Sequence, residues 1–185
     1  MRWDELFADL EAQLSAAEAA ELAAEVADRT RQEVGQLRLV DRLRPVLGAR
    51  VTLQVTGLGT AHGTLLDAGA DWLLVQEDGA RELLLPTASV LSVSGVGGPA
   101  EVPNSEGEVV RRLDVRWALK GLVRSRSGVQ VLLLDGSALT GTLDRVGADH
   151  VDLAEHAPGE PRRAAAVRQV RLVPLVALAA IRSWG

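Results

Sequence analysis

The stretch Gly63-Thr64-Leu65-Leu66-Asp67-Ala68-Gly69-Ala70-Asp71-Trp72-Leu73 returns 78 residues later as Gly141-Thr142-Leu143-Asp144-Arg145-Val146-Gly147-Ala148-Asp149-His150-Val151, identical at six of eleven positions. A chain that repeats itself must build one small unit twice. Val51, Leu53 and Val55 fall on Val129, Val131 and Leu133 at the same offset. Further on, Leu85-Pro86 and Val90 fall on Val173-Pro174 and Leu178 at an offset of 88, so ten extra residues enter between Glu155 and Arg168.

Within the first copy, apolar Val51, Leu53 and Val55 alternate with Thr52, Gln54 and Thr56, the period-two pattern of a half-buried strand. Gly63–Leu66, Trp72–Val75, Arg81–Leu85 and Val90–Val93 read as four more strands, separated by Gly-, Asp- and Pro-bearing turns. Each copy has a helix at its entrance: Gln36 to Arg44, closed by Pro45 and Gly48, and Glu108 to Arg124, with Val109, Leu113, Trp117 and Leu122 on one face. Ahead of both, residues 2 to 34 lack Gly and Pro and are dense in Ala, Glu and Leu, which predicts one long helix. Its Trp3, Phe7, Leu10 and Leu14 form a narrow seam that requires an apolar partner. The organisation is therefore an amphipathic helix (1–34), a first unit (35–94), a Gly/Pro/Ser linker (95–105) and a second unit (106–185).

Composition closes several functional classes. There is no cysteine, which excludes disulfides, thiolate metal sites and cysteine nucleophiles. Aromatics are 3% of the residues, with no Tyr and one Phe, so aromatic stacking platforms are scarce and the core rests on Leu, Val and Ala. The acidic start, Asp4-Glu5, is unlike a secretory signal, and the longest apolar run, Leu172–Ile181, is half the length of a membrane span; both point to the cytoplasm. Only one of the 20 basic residues is lysine, a vocabulary that suggests a high-GC bacterial source.

Five short strands, an entrance helix and a Pro-led turn before the last strand (Pro86, Pro174) form the layout of a small SH3-like barrel. Leu134-Asp135-Gly136-Ser137-Ala138-Leu139-Thr140-Gly141-Thr142-Leu143-Asp144-Arg145-Val146 resembles the first motif of the Sm-like family. The resemblance implies a mainly β fold with added α: tandem five-stranded Sm-like barrels in which Gly63 and Gly141 mark a bend that tolerates no side chain. The family's RNA-binding members continue this motif with an Asp and an Asn that hold a base. Here Gly69 or Gly147 takes the Asp position and no Asn follows, while Pro86-Thr87 and Pro174-Leu175 stand where the family has a basic-Gly pair. The fold is thus expected without the base pocket.

Residues 1–98 hold 15 acidic and 8 basic residues, and residues 99–185 hold 10 and 12. Arg111, Arg112, Arg116, Lys120, Arg124 and Arg126 recur at helical spacing, and Arg162, Arg163, Arg168 and Arg171 follow. Such clustering suits phosphate contacts, but it equally suits a solvated helix face balancing the acidic first half. His62, His150 and His156 with Asp152 and Glu155 are weak metal ligands, because His150 occupies the place of Trp72 in the first copy. The Gly57–Gly63 run lies between strands and reads as a hairpin rather than a phosphate cradle. No nucleophile, base and orienting acid fall at a catalytic spacing, and no cofactor is implied. The expectation is a non-enzymatic assembly protein, self-associating as a homodimer or higher through barrel edges and the Trp3–Leu14 seam, with an unidentified protein client. The alternative is an RNA- or DNA-binding regulator that uses the second unit's arginines.

Overall fold

A computed structural model describes residues 3–79, 81–98, 113–159, 163 and 167–183. The chain divides into two compact units, Met1–Arg38 and Leu39–Gly185. The first is α1 (Trp3–Gly35), 33 residues of helix. Gln13 donates to Asp9 at 2.8 Å, Arg29 pairs with Glu25 at 3.8 Å and Arg31 pairs with Asp28, the one-turn contacts that support an exposed helix. Trp3, Phe7, Leu10 and Leu14 are all exposed, as are Leu22, Val26 and Val34.

The second unit opens with α2 (Leu39–Leu43), shorter than the expected Gln36–Arg44. The helix gives way to a 3-10 turn, Arg44–Val46, because Pro45 lacks the N–H that a further α turn needs. Arg44 ties this corner to the sheet through the Ala68 and Gly69 carbonyls at 3.3 and 3.4 Å. Then come β1 (Arg50–Val55), β2 (Gly59–Ala68), β3 (Trp72–Glu77), β4 (Glu82–Pro86) and β5 (Val90–Ser94). The second repeat supplies α3 (Val115–Ser125), β6 (Gly128–Leu133), β7 (Ala138–Val146), β8 (His150–Glu155), β9 (Gln169–Pro174) and β10 (Leu178–Ser183). α3 starts at Val115, with Asp114 extended ahead of it. Glu108, Val109 and most of the expected linker (99–105) lie outside the described residues, as does Trp184. Among the described residues no helix is long and apolar enough to cross a membrane.

The repeat is repeated in register. Val51 pairs with Gly63 and Gly63 with Glu77; Val129 pairs with Gly141 and Gly141 with Glu155. Both second strands carry a bulge at the same place, between Leu65 and Asp67 and between Leu143 and Arg145. Each is long because its first half serves one neighbour and its second half the other. Gly63 and Gly141 sit at the crossover, where a Cβ would overlap the carbonyl oxygen of Gln76 or Ala154. The strand bends there, and the demand for glycine comes from the close approach of the next strand's backbone.

The expected pair of separate barrels is replaced by one continuous ten-stranded antiparallel sheet, in the order β5-β1-β2-β3-β4-β10-β6-β7-β8-β9. Among the described pairings β4 does not return to β5, nor β9 to β10. The linking 3-10 turns, Thr87–Ser89 and Leu175–Ala177, carry the chain across so that β5 joins β1 and β10 joins β6. Two apolar cores result, and they exchange residues. Leu132, Ala179 and Ala180 of the second repeat belong to the first core, while Trp72 and Leu84 of the first repeat belong to the second. The described residues from 39 to 183 therefore form one packed body.

Candidate functional site

The repeats meet where β4 lies antiparallel to β10, with Leu84 opposite Ile181, Leu83 opposite Arg182 and Glu82 opposite Ser183. Alternation sends these pairs to opposite faces. On one face Leu84 leaves its own repeat and enters the second core beside Ile181, ending 6% exposed. On the other, Arg182 reaches back over β4 to Glu77, with Nε to Oε2 at 2.6 Å and Nη2 to Oε1 at 2.9 Å. Its third nitrogen donates to Gln130 at 3.2 Å, and both charged side chains are 17% exposed. A two-pronged guanidinium–carboxylate pair held this far from water is directional as well as attractive. The Ser89 hydroxyl, 2.7 Å from the Ala179 carbonyl and 2.8 Å from that of Pro86, adds a polar contact across the junction. At one end Gly57, with φ of 73°, lies against the backbone of Leu133 and Leu134 so closely that a side chain would collide.

A second contact runs through α3. The Trp72 indole N–H donates to the Leu113 carbonyl at 2.8 Å and its ring stacks on Trp117 with centroids 6.4 Å apart. Two carboxylates start the helix: Asp114 accepts from the Trp117 amide at 2.9 Å and Asp71 from the Val115 amide at 2.7 Å. Burial raises the pKa of Asp71 above its ordinary value; the hydrogen bond from Val115 opposes that shift and the neighbouring Asp114 charge adds to it. Over this corner opens a cleft of about 350 Å³, walled by Trp72, Leu74, Leu84, Trp117, Leu122 and Ile181. Its wall is mostly apolar, with Asp67, Glu82, Ser125 and Ser183 also lining it.

Each end of the sheet, β9 at one and β5 at the other, repeats half of this junction with no strand paired to it among the described residues. Leu172 stands at the place of Leu84 and is 69% exposed; Leu91 of β5 stands at the place of buried Ala179 and is 71% exposed. Glu155, the counterpart of Glu77, is held by its own repeat: Arg171 donates to it at 2.7 Å and Gln169 at 2.8 Å, and these contacts lower its pKa.

Of the residues singled out by sequence, Arg116, Lys120 and Arg124 fall four apart along α3, with Lys120, Arg124 and Arg126 exposed. Among the described residues, the ion pairs of the first repeat involve neither Lys120 nor Arg124. Arg111, Arg112 and Arg162 lie outside the described residues. The histidines are apart: His62 faces Thr52, His156 is buried between Thr142 and the Ala157 carbonyl, and His150 contacts Asp149 at 2.8 Å. Among the described residues no cluster of three metal-ligating side chains forms. Pro86 and Pro174 lead the 3-10 turns that redirect the fifth strands.

The junction itself was missed by sequence reading, although a signal existed. Aligned repeat positions diverge where their surroundings differ: Trp72 against His150, Arg182 against Ser94 and Leu83 against Arg171. The chain matches no protein-family model, and no curated protein matches it significantly.

Proposed function

We propose that the chain is a non-enzymatic cytoplasmic assembly protein made of two Sm-like repeat units, fused in one sheet, that act by joining strand edges, with the α1 seam as a second contact surface. One observation carries the reading: the two repeats are joined edge to edge at β4–β10, while an edge of each kind, β9 and β5, has no further strand paired to it among the described residues. Unpaired edges recruit further strands unless they are covered or charged. The exposed apolar line of α1 serves the same end, since an isolated helix gains most of its stability from a packed face.

The Arg116, Lys120 and Arg124 line favours a second reading, nucleic-acid binding. One experiment separates the two. Sedimentation velocity of the full chain over a wide concentration range is expected to show self-association, weakened by Phe7→Asp with Leu10→Asp and untouched by alanine at the three cations. Exposed cations, as Lys120 and Arg124 are, contribute only about 0–1 kcal/mol each to protein contacts. Tight, salt-sensitive binding of a short single-stranded RNA, lost in the triple alanine variant, would transfer the assignment to the second reading.

A further inference from the structure

The cleft above the junction is walled by both repeats, and we infer that it is a binding site for a small organic cation, an ammonium with an apolar body. The inference does not depend on whether copies of the chain associate, because every lining residue lies between Asp67 and Ser183 of one chain.

The sheet supplies the floor. Asp67 lies opposite Leu74, Leu74 opposite Leu84 and Leu84 opposite Ile181, so one row of side chains crosses β2, β3, β4 and β10 from the first repeat into the second. One step further along the strands, Glu82 lies opposite Ser183. The roof is α3, whose Trp117, Gly121 and Ser125 recur every four residues and line the space. At about 350 Å³ the cleft falls within the range of small-molecule sites, about 300–1,000 Å³.

Gly121 indicates that this room is kept on purpose. It stands inside a helix, where only proline is less favourable than glycine. Its backbone has no positive φ, and a Cβ built on it meets nothing within 4 Å. Neither geometry nor close packing calls for glycine there; what a larger side chain would take is the space of the cleft.

The charge at the opening sets the ligand class. Asp67 and Glu82 line the cleft, both are exposed, and among the described residues neither belongs to an ion pair. Asp67 accepts only the adjacent Ala68 amide, at 2.8 Å, through one of its oxygens. No lysine or arginine lines the space, so Lys120 and Arg124 of α3 do not neutralise it from within. Trp117 stacks on Trp72 yet remains 46% exposed, and an indole face attracts a cation through its quadrupole. Leu84 and Ile181 present an apolar floor, which an inorganic cation could not use. An anion is repelled, and a neutral apolar molecule gains the floor but not the two carboxylates. A bound cation touches both repeats and so braces their junction, raising the melting temperature by mass action.

The test is isothermal titration calorimetry and thermal melting of the full chain with 2-phenylethylammonium, its neutral analogue 2-phenylethanol and the anion phenylacetate. The ammonium is expected to bind saturably at millimolar concentration or below, about tenfold more tightly than the alcohol, and to raise the melting temperature, while phenylacetate does not bind. Asp67→Asn with Glu82→Gln, both at exposed positions, should melt like the wild type and bring the ammonium down to the affinity of the alcohol. Gly121→Leu fills the cleft, improves helix propensity and should abolish binding of both without lowering the melting temperature. Absence of saturable ammonium binding, equal affinity for the alcohol, or binding that survives Gly121→Leu overturns the inference. Should Gly121→Leu fail to fold, the charge variant decides: ammonium binding that it leaves unchanged overturns the inference as well. Sedimentation of the unliganded chain reads self-association separately, so failure here leaves the assembly reading standing.

Discussion

Replacing Trp72 with alanine probes whether the two repeats are one cooperative body. The side chain is almost wholly buried, in the core of the other repeat. Withdrawing about 200 Å² of aromatic surface at about 25 cal/mol per Å² gives an upper figure of ~5 kcal/mol, and measured Trp→Ala changes in cores fall at about 3–5 kcal/mol. The lost indole hydrogen bond adds little, because the Leu113 carbonyl keeps a second donor, the Ala70 amide at 3.2 Å. A loss of about 4 kcal/mol is a large share of the 5–15 kcal/mol typical of a folded domain. With an urea slope of about 2 kcal/mol per M, the midpoint falls by about 2 M. Urea titration followed by far-UV circular dichroism and tryptophan fluorescence reads this directly. Both signals are expected to shift together in a single transition, since each core holds residues of the other repeat. Trp72→Phe keeps most of the apolar surface and costs about 1–2 kcal/mol. Two separate transitions, or a loss below about 1 kcal/mol in the alanine variant, would refute the shared-core argument.

Gly63→Ala and Gly141→Ala are each expected to cost more than the ~1 kcal/mol typical of point changes, because the new methyl meets the carbonyl of the adjacent strand; unchanged thermal unfolding would refute that close approach. Asp71, whose pKa is raised in the folded chain, binds its proton more tightly there than when unfolded, so its contribution to stability falls as pH rises from the ordinary carboxylate value through the folded one. Melting temperatures across the acidic range should show Asp71→Asn gaining on the wild type as pH rises; a constant difference would refute the burial argument. Glu155 has the opposite sign, its pKa being lowered: its contribution is present above the ordinary value and is lost as pH falls through the folded one, and Glu155→Gln should remove that loss in the same melts.

Strand identity was legible from the sequence, because period-two alternation and turn glycines are local properties, and the 78-residue recurrence carried the register from one copy to the other. The neighbour that each edge chooses was not. Alternation at Leu83, Leu84 and Leu85 states which faces are apolar and is silent on whether β5 or β10 lies alongside. The Arg182–Glu77 pair spans 105 positions, beyond any local pattern. Trp72 reads as an ordinary strand anchor; its burial depends on a helix that starts more than forty residues later. The start of α2 moved from Gln36 to Leu39, and its end fell one residue before Arg44, where the Pro45 turn takes over. Trp3, Phe7, Leu10 and Leu14 are exposed along α1, as are Lys120 and Arg124 on α3 and Arg126 just after it, whereas Arg116 is half-buried.

The pairing of Leu84 with Ile181 also fixes an order of events during synthesis. About a hundred residues separate the two strands, and at about 5–20 residues per second the ribosome needs roughly 5–20 s to deliver them. Throughout that interval the first repeat has all five of its strands but no cover for Trp72 and Leu84, and its β4 edge is open to any nascent neighbour. Chains translated side by side on one message could exchange β10 strands before either finishes its own junction. Slow codons between Pro86 and Leu178 would lengthen that exposure, and a chaperone that shields the β4 edge would shorten it.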